Sequence, residues 1–146
     1  MKKIILFFFL VSLLHSSSIY TLDNVKNLNF YLMAQADYLG KEEKENIKKF
    51  TVDKLKEAGF NFGKTDSATI VVKIDAKDID STYVINIQFG LAEEVTTMRK
   101  DNIDTFAYTY LNSTMIESDE PYEETMEYLQ FLLYEFIEVH KEDNEE

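Results

Sequence analysis

The side chains of this chain best suited to chemistry are carboxylates, and their tightest group is Asp75, Asp78 and Asp80 in "DAKDID". A calcium loop of the EF-hand type alternates its acids, turns on a glycine and closes with a glutamate. Here the spacing is three and then two, with neither the glycine nor the closing glutamate, so the stretch is expected to be a polar hairpin connection. Carboxylate pairs also serve acid–base hydrolysis. Composition leaves that chemistry open, but no spacing brings two acids to one cleft.

Nucleophilic systems are harder to build. The chain has no cysteine and two histidines, His15 and His140, and His15 falls in the N-terminal leader described below. Zinc held by cysteine and histidine is therefore effectively excluded, and a serine nucleophile would have to find His140 in space. His140 stands at the end of the last helical pattern, on its apolar stripe, where a structural role against the helix dipole is expected. Gly63-Lys64-Thr65 has the ending of a phosphate-binding loop without its upstream glycines. Asn112-Ser113-Thr114 matches a glycosylation sequon, a three-residue match too common by chance to carry weight. The expectation is no catalytic residue, no cofactor and no metal.

Contact chemistry is better represented. Phe131 and Tyr134 interrupt the polar side of the last helical pattern, among Glu127, Glu135 and Glu138. Tyr31 and Met33 fall on the less apolar side of the first strand pattern. Aromatic and methionine side chains on nominally wet faces suggest association, and these four are the candidate partner-binding residues. "TFAYTYLNST" raises the same question, because Phe106, Tyr108 and Tyr110 recur at every second residue. With apolar strand and helix faces elsewhere needing cover, these three are expected to be core.

The elements that must position these groups can be read from periodicity. "LNFYLMAQAD" alternates Leu28, Phe30, Leu32, Ala34 and Ala36 against Asn29, Tyr31 and Met33, and reads as a strand, although a helix can be drawn there too. "KEEKENIKKFTVDKLKEAGF" is a helix with Ile47, Phe50, Leu55 and Ala58 inward, supported by Glu45 and Lys49 one turn apart and ended by Gly59. "ATIVVKIDA" and "STYVINIQFGL" are strands, the second placing Tyr83, Ile85, Ile87, Phe89 and Leu91 together. The aromatic stretch is the fourth strand. A last helix starts near Asp119, a suitable cap, with Pro121 in its first turn. Its stripe is Tyr122, Met126, Leu129, Leu132, Leu133, Phe136 and Ile137. The order β-α-β-β-β-α gives an α+β two-layer sandwich, a four-stranded mixed sheet with two helices on one face and the other face wet. Strand order stays open.

The N-terminus opens "MKKIILFFFLVSLLHSSSIYT", with two lysines, an apolar run from Ile4 to Leu14 and small residues at Ser16, Ser17 and Ser18. That is the order of a secretory signal peptide over residues 1–18, and the run is shorter than the about 20 residues of a membrane-spanning helix. A single domain over 19–140 and an acidic disordered tail over 141–146 are expected. With no cysteine to form a disulfide or carry a lipid, the mature chain is expected to be periplasmic or secreted, without a membrane anchor.

Charge narrows the partners. From Glu117 to the end stand 12 acids and one base, 12 − 1 = 11 net negative charges. Without Lys2 and Lys3 the chain carries 13 bases against 27 acids, or −14, so the body before Glu117 is only −3. Nucleic acid is a poor partner for such a field. An envelope protein, or a second copy of the chain, is the expected one.

This layout resembles a group of small uncharacterised exported bacterial proteins, on core positions spread over nearly all the mature chain. In those proteins a helix ending "L..AG" leads into an "A.l.V.V" strand, then "Y.v.v.l" and "at.W" strands and a helix ending like "F...Y". The matching residues here are Leu55, Ala58 and Gly59; Ala68, Ile70 and Val72; Tyr83, Ile85 and Ile87; Phe106, Tyr108 and Tyr110; and Phe136 with His140. The tryptophan of their last strand is absent. The layout is also similar to envelope modules such as the N-terminal domain of TolB-type proteins. Both resemblances imply the same fold and neither carries a catalytic motif. The leading expectation is a non-enzymatic exported binding or assembly module acting through protein–protein contacts in the envelope. Behind it stand a carrier of a small apolar ligand between sheet and helices, lined by Phe106, Tyr108 and Phe136, and then an acid–base hydrolase.

Overall fold

The computed structural model of the chain describes residues 21–64 and 68–145, and the signal peptide expected over 1–18 lies outside them. In chain order the elements are β1 (Asn27–Gln35), α1 (Lys41–Glu57), β2 (Asn61–Phe62), β3 (Ala68–Ile79), β4 (Thr82–Thr96), β5 (Asp104–Ser118) and α2 (Pro121–Asn144). The strands form one sheet in the order β2-β1-β3-β4-β5. β1 runs parallel to both β2 and β3, while β3-β4 and β4-β5 are antiparallel hairpins. The α+β two-layer architecture is the one the periodicity predicts, with a fifth strand added. β2 is only two residues long, too short to leave a periodic signal.

Local chemistry explains where the elements stop. Gly59, at φ +98°, follows α1, so that Gly59 N–H reaches the Lys56 carbonyl and Phe60 N–H the Leu55 carbonyl, both at 3.0 Å. That pair of bonds closes a helix on a left-handed residue, and glycine bears the conformation at no steric cost. β3 turns into β4 on Asp80 and Ser81, both at positive φ, as a two-residue hairpin requires. Asp78 Oδ1 accepts the Ser81 N–H at 2.9 Å. Of "DAKDID", expected to be a polar hairpin connection, residues 75–79 are instead the end of β3, paired with β4 as far as Ile79 and Thr82, and only Asp80 lies in the turn.

The core fills the space between one sheet face and the helices. Ile70, Val72 and Ile74 of β3 and Ile85, Ile87, Phe89 and Leu91 of β4 are all fully buried. Ile47, Thr51 and Leu55 of α1 meet them, the Thr51 hydroxyl returning to its own helix by donating to the Ile47 carbonyl at 2.9 Å. From α2 come Leu129, Leu132, Leu133, Phe136 and Ile137, with Tyr122 and Met126 half-buried at the margin. Phe136 is the centre of an aromatic knot, with ring centroids 5.2 Å from Tyr110, 5.4 Å from Phe89 and 5.7 Å from Phe60. His140 closes one end of this knot. Its ring lies 4.5 Å from Phe60 and its Nε2 is 2.8 Å from the Val25 carbonyl, the structural role expected of it.

Three further expectations are corrected. Asp119 does not cap α2: Glu120 holds the N-cap position, and Asp119 accepts a hydrogen bond from the Thr82 hydroxyl at 2.8 Å, tying the start of α2 to β4. The tail expected over 141–146 is helical as far as Asn144, because its polar side chains have work to do there. Asp143 accepts the Leu22 N–H at 2.7 Å, and Asn144 bonds both the Asn24 N–H and the Leu22 carbonyl, fastening the entering chain to the end of α2.

The third correction concerns the aromatic run. Tyr110 is buried as expected, but Phe106 and Tyr108 are not core: they are 66% and 45% exposed. The cause is a bulge. Leu91 pairs with Tyr110 and its neighbour Ala92 pairs with Tyr108, leaving Thr109 as an extra residue in β5. One inserted residue moves every side chain beyond it to the other face of the sheet. The Thr109 hydroxyl is held by the Glu93 carboxylate on β4, which pins the irregularity in place.

Candidate functional site

Paired residues of neighbouring strands share a face, so the surface of the sheet away from the helices can be read row by row. Tyr31 pairs with Val71, Val71 with Gly90 and Gly90 with Leu111. The next row is Asn29, Thr69, Ala92 and Tyr108, and beyond it Glu94 pairs with Phe106. On the other side of the central row, Met33 pairs with Lys73. Because of the bulge, the two aromatics of β5 therefore lie on the same face as Tyr31 and Met33, across four adjacent strands. Tyr31 is 58% exposed, yet Val71 in the middle is buried although no helix covers it.

Gly90, paired with Val71, is itself covered from this face. A Cβ at this position would lie 2.7 and 2.8 Å from Cδ1 and Cε1 of Tyr108, and 3.0 Å from the Tyr110 carbonyl oxygen. The Tyr108 ring thus rests directly on the Gly90 backbone, in space any larger residue would occupy. The result is a low aromatic platform of Tyr31, Met33, Val71, Tyr108, Leu111 and Phe106, open to solvent. Rings resting on a sheet offer large contact area with little side-chain entropy to lose on binding.

The same face changes character towards the β3-β4 turn. There a groove of about 460 Å³ runs between Gln35, Lys73, Asp75, Lys77, Val84 and Asn86. Lys73 and Asp75 form an ion pair at 2.6 Å across its floor. Asp75 is thus engaged by a lysine, Asp78 by the turn, and Asp80 forms the turn itself. Among the described residues no group of three histidine, cysteine, aspartate or glutamate side chains is arranged to hold a metal.

The four candidate contact residues fall on two surfaces. Tyr31 and Met33 stand on the open face where the strand pattern puts them. Phe131, 54% exposed, and Tyr134, 44% exposed, stand on the outward side of α2 at the opposite side of the molecule. The Lys54 ammonium of α1 is held above its ordinary pKa chiefly by the Glu57 carboxylate at 2.6 Å, with a smaller effect in the same direction from Tyr134. Two other tyrosines mark the seam between the layers. Tyr38 is pushed above 10.0 mainly by burial, with its hydroxyl 2.7 Å from Thr125 of α2, and its ring stands edge-on to Tyr83 at 5.2 Å. A hydrogen bond to Asp37 raises Tyr83 as well.

The carrier expectation loses its lining set. Phe106 and Tyr108 are on the open face and Phe136 is fully buried under the other one, so the three cannot border one cavity. The platform itself was missed by sequence reasoning, but one signal for it was present. A lone glycine inside a strongly apolar strand, as Gly90 is, points to a bulge or a close approach of another group.

No protein-family model matches the chain, and no curated protein matches it. Among solved structures it is similar to a crystal structure of a minor lipoprotein from Acinetobacter baumannii. The two are 10% identical, the match covers 80% of this chain and 90% of that one, and the TM-score is 0.29. A likeness of that size transfers no site and no activity. Among the described residues no helix is long and apolar enough to cross a membrane.

Proposed function

We propose that this protein is a small exported, non-enzymatic binding module that works through protein–protein contact in the cell envelope, and that its open sheet face is the contact surface. One observation carries the reading: Tyr31, Met33, Tyr108 and Phe106 stand exposed on the same open face of the sheet, with the Tyr108 ring resting on Gly90. The export half rests on the basic, apolar and small-residue order of the N-terminus. The binding half rests on aromatic enrichment at protein interfaces and on the rarity of such clusters on surfaces without partners. The partner this face suits is a protein surface with its own apolar patch. Rings set level with the sheet lack the depth to enclose a small ligand.

A photo-crosslinking residue in place of Tyr108, and separately in place of Phe131, tests this in the native envelope. A discrete protein adduct is expected at position 108 and none at 131. Adducts at 131 alone, or at neither position, would overturn the assignment of the face.

A further inference from the structure

The open face of the sheet has two unlike halves. One carries the rings of Tyr31, Tyr108 and Phe106, and the other holds the groove bounded by Gln35, Asp75, Lys77 and Val84. Between them two rows adjoin, Tyr31–Val71–Gly90–Leu111 and Met33–Lys73–Gln88–Ser113. A two-fold axis crossing the strands between these rows lays the ring half of one copy on the groove half of another. Charge also sets this face apart. In the region such an axis covers, Lys73 and Lys77 stand against Asp75, Glu94 and Glu117, so that 2 − 3 leaves one net negative charge. The segment from Glu117 onward carries eleven. Its exposed acids, among them Glu123, Glu127, Glu135 and Glu138 of α2, lie in the helix layer behind the sheet.

We propose, resting on the reading of this face as the contact surface, that its occupant is a second copy of this chain, stacked sheet on sheet about that axis. Two copies of one sheet share one twist. They stack aligned, about 30° apart, as the layers of a β-sandwich do, whereas an unrelated surface has to supply a matching curvature. The contact is self-complementary, as a two-fold interface must be. Near the axis Tyr31 lies over Met33 of the second copy, and further out Tyr108 lies towards its Met115, so that rings meet thioethers. No like charges oppose, since Lys73 falls over Val71 and Asp75 over Thr69. Four strands about 4.8 Å apart, overlapping along roughly 35 Å, bury about 1,300 Å² in all, inside the range of stable interfaces and near its lower end. An association that depends on concentration follows. The stack also places both acidic helices on its outer surfaces. With layers about 10 Å apart, the two α2 helices stand roughly 30 Å from each other, several Debye lengths at physiological salt.

Sedimentation of the mature protein from dilute to concentrated solution, with hydroxyl-radical footprinting of the same samples, is the test. The mass is expected to rise from one copy to two. Oxidation of Met33 and Met115, both exposed in the single copy, should slow in step, while that of Phe131 and Tyr134 on α2 stays unchanged. Met33→Glu sets a carboxylate against Tyr31 of the second copy and should weaken association about tenfold or more. Phe131→Ser with Tyr134→Ser should leave it intact. A mass of one copy throughout overturns the proposal, and so does a dimer in which the two methionines react as fast as in the dilute sample. The footprint of the unaltered chain decides the matter even if the glutamate variant fails to fold. A photo-crosslinking residue in place of Met33, used in the native envelope, separates this proposal from the reading beneath it. An adduct of twice the chain's mass is expected. An adduct with a different protein removes the second copy as occupant and keeps the contact face, whereas no adduct removes both.

Discussion

The aromatics on the two sides of Thr109 in β5 follow one sequence period and have opposite fates. After Thr109, Tyr110 packs edge-on against Phe136 and is 3% exposed; before it, Tyr108 and Phe106 lie on the far side of the sheet in water. Phe106, Tyr108 and Tyr110 recur at every second residue across the boundary, and both halves pair with β4. A single extra residue separates them. Whether an aromatic becomes core or lies on the open face is decided here by register, not by residue type, and the change of register is flanked on β4 by Gly90, under the Tyr108 ring, and Glu93, which accepts from the Thr109 hydroxyl.

The largest effect should come from breaking the buried half. Tyr110→Ala removes a ring from the aromatic knot and should cost about 3–4 kcal/mol, whereas Phe106→Ala should stay within about 0.5 kcal/mol. Denaturant titration of both variants checks the contrast, and equal losses would abolish it. Next in size is the contact that shapes the platform. Gly90→Ala forces the Tyr108 ring off the sheet and should cost about 1–3 kcal/mol. Adding Tyr108→Ala should restore much of that, so that the two changes are strongly non-additive; simple additivity would show that the ring does not rest there. Smaller again is Thr109→Val, which removes the hydroxyl held by Glu93 and should cost about 1 kcal/mol, measured in the same way.

The smallest and most specific contrast is in pH. Tyr38, on the buried side, has a folded pKa raised above 10.0 by burial. A proton held more tightly in the folded state contributes stability that is complete below the unfolded value. It is lost as pH rises from about 10 through the folded value. Melting temperatures followed upward from pH 9 should therefore fall more steeply for the unaltered chain than for Tyr38→Phe. Parallel curves would contradict the assignment.

Much of this fold was legible in the sequence, because alternation and helical spacing report burial directly. Ile85, Ile87, Phe89 and Leu91 point inward as their pattern says, and so does the stripe from Leu129 to Ile137. Tyr31 and Met33 are on the open face for the same reason. The rest depended on information that periodicity does not contain. A period of two carries no mark of an inserted residue, so "TFAYTY" reads as one face although it is two. Ala107 and Thr109 are too weakly polar to show the change of phase. The helical end of α2 was hidden because Asp143 and Asn144 look like tail composition until the chain near Leu22 supplies the backbone groups they bind. Strand order was hidden because hydrophobic pattern does not say which strands are neighbours.

The absence of cysteine provides the most direct test of the register reversal on which the open-face platform depends. Phe106→Cys, Tyr108→Cys and Tyr110→Cys, made one at a time, report the exposure of each position through their rate of thiol labelling in the native state. Labelling at 106 and 108 should be fast and independent of unfolding, while labelling at 110 should wait for global opening of the domain. Protection at all three positions would return the aromatic run to the core and remove the contact face with it.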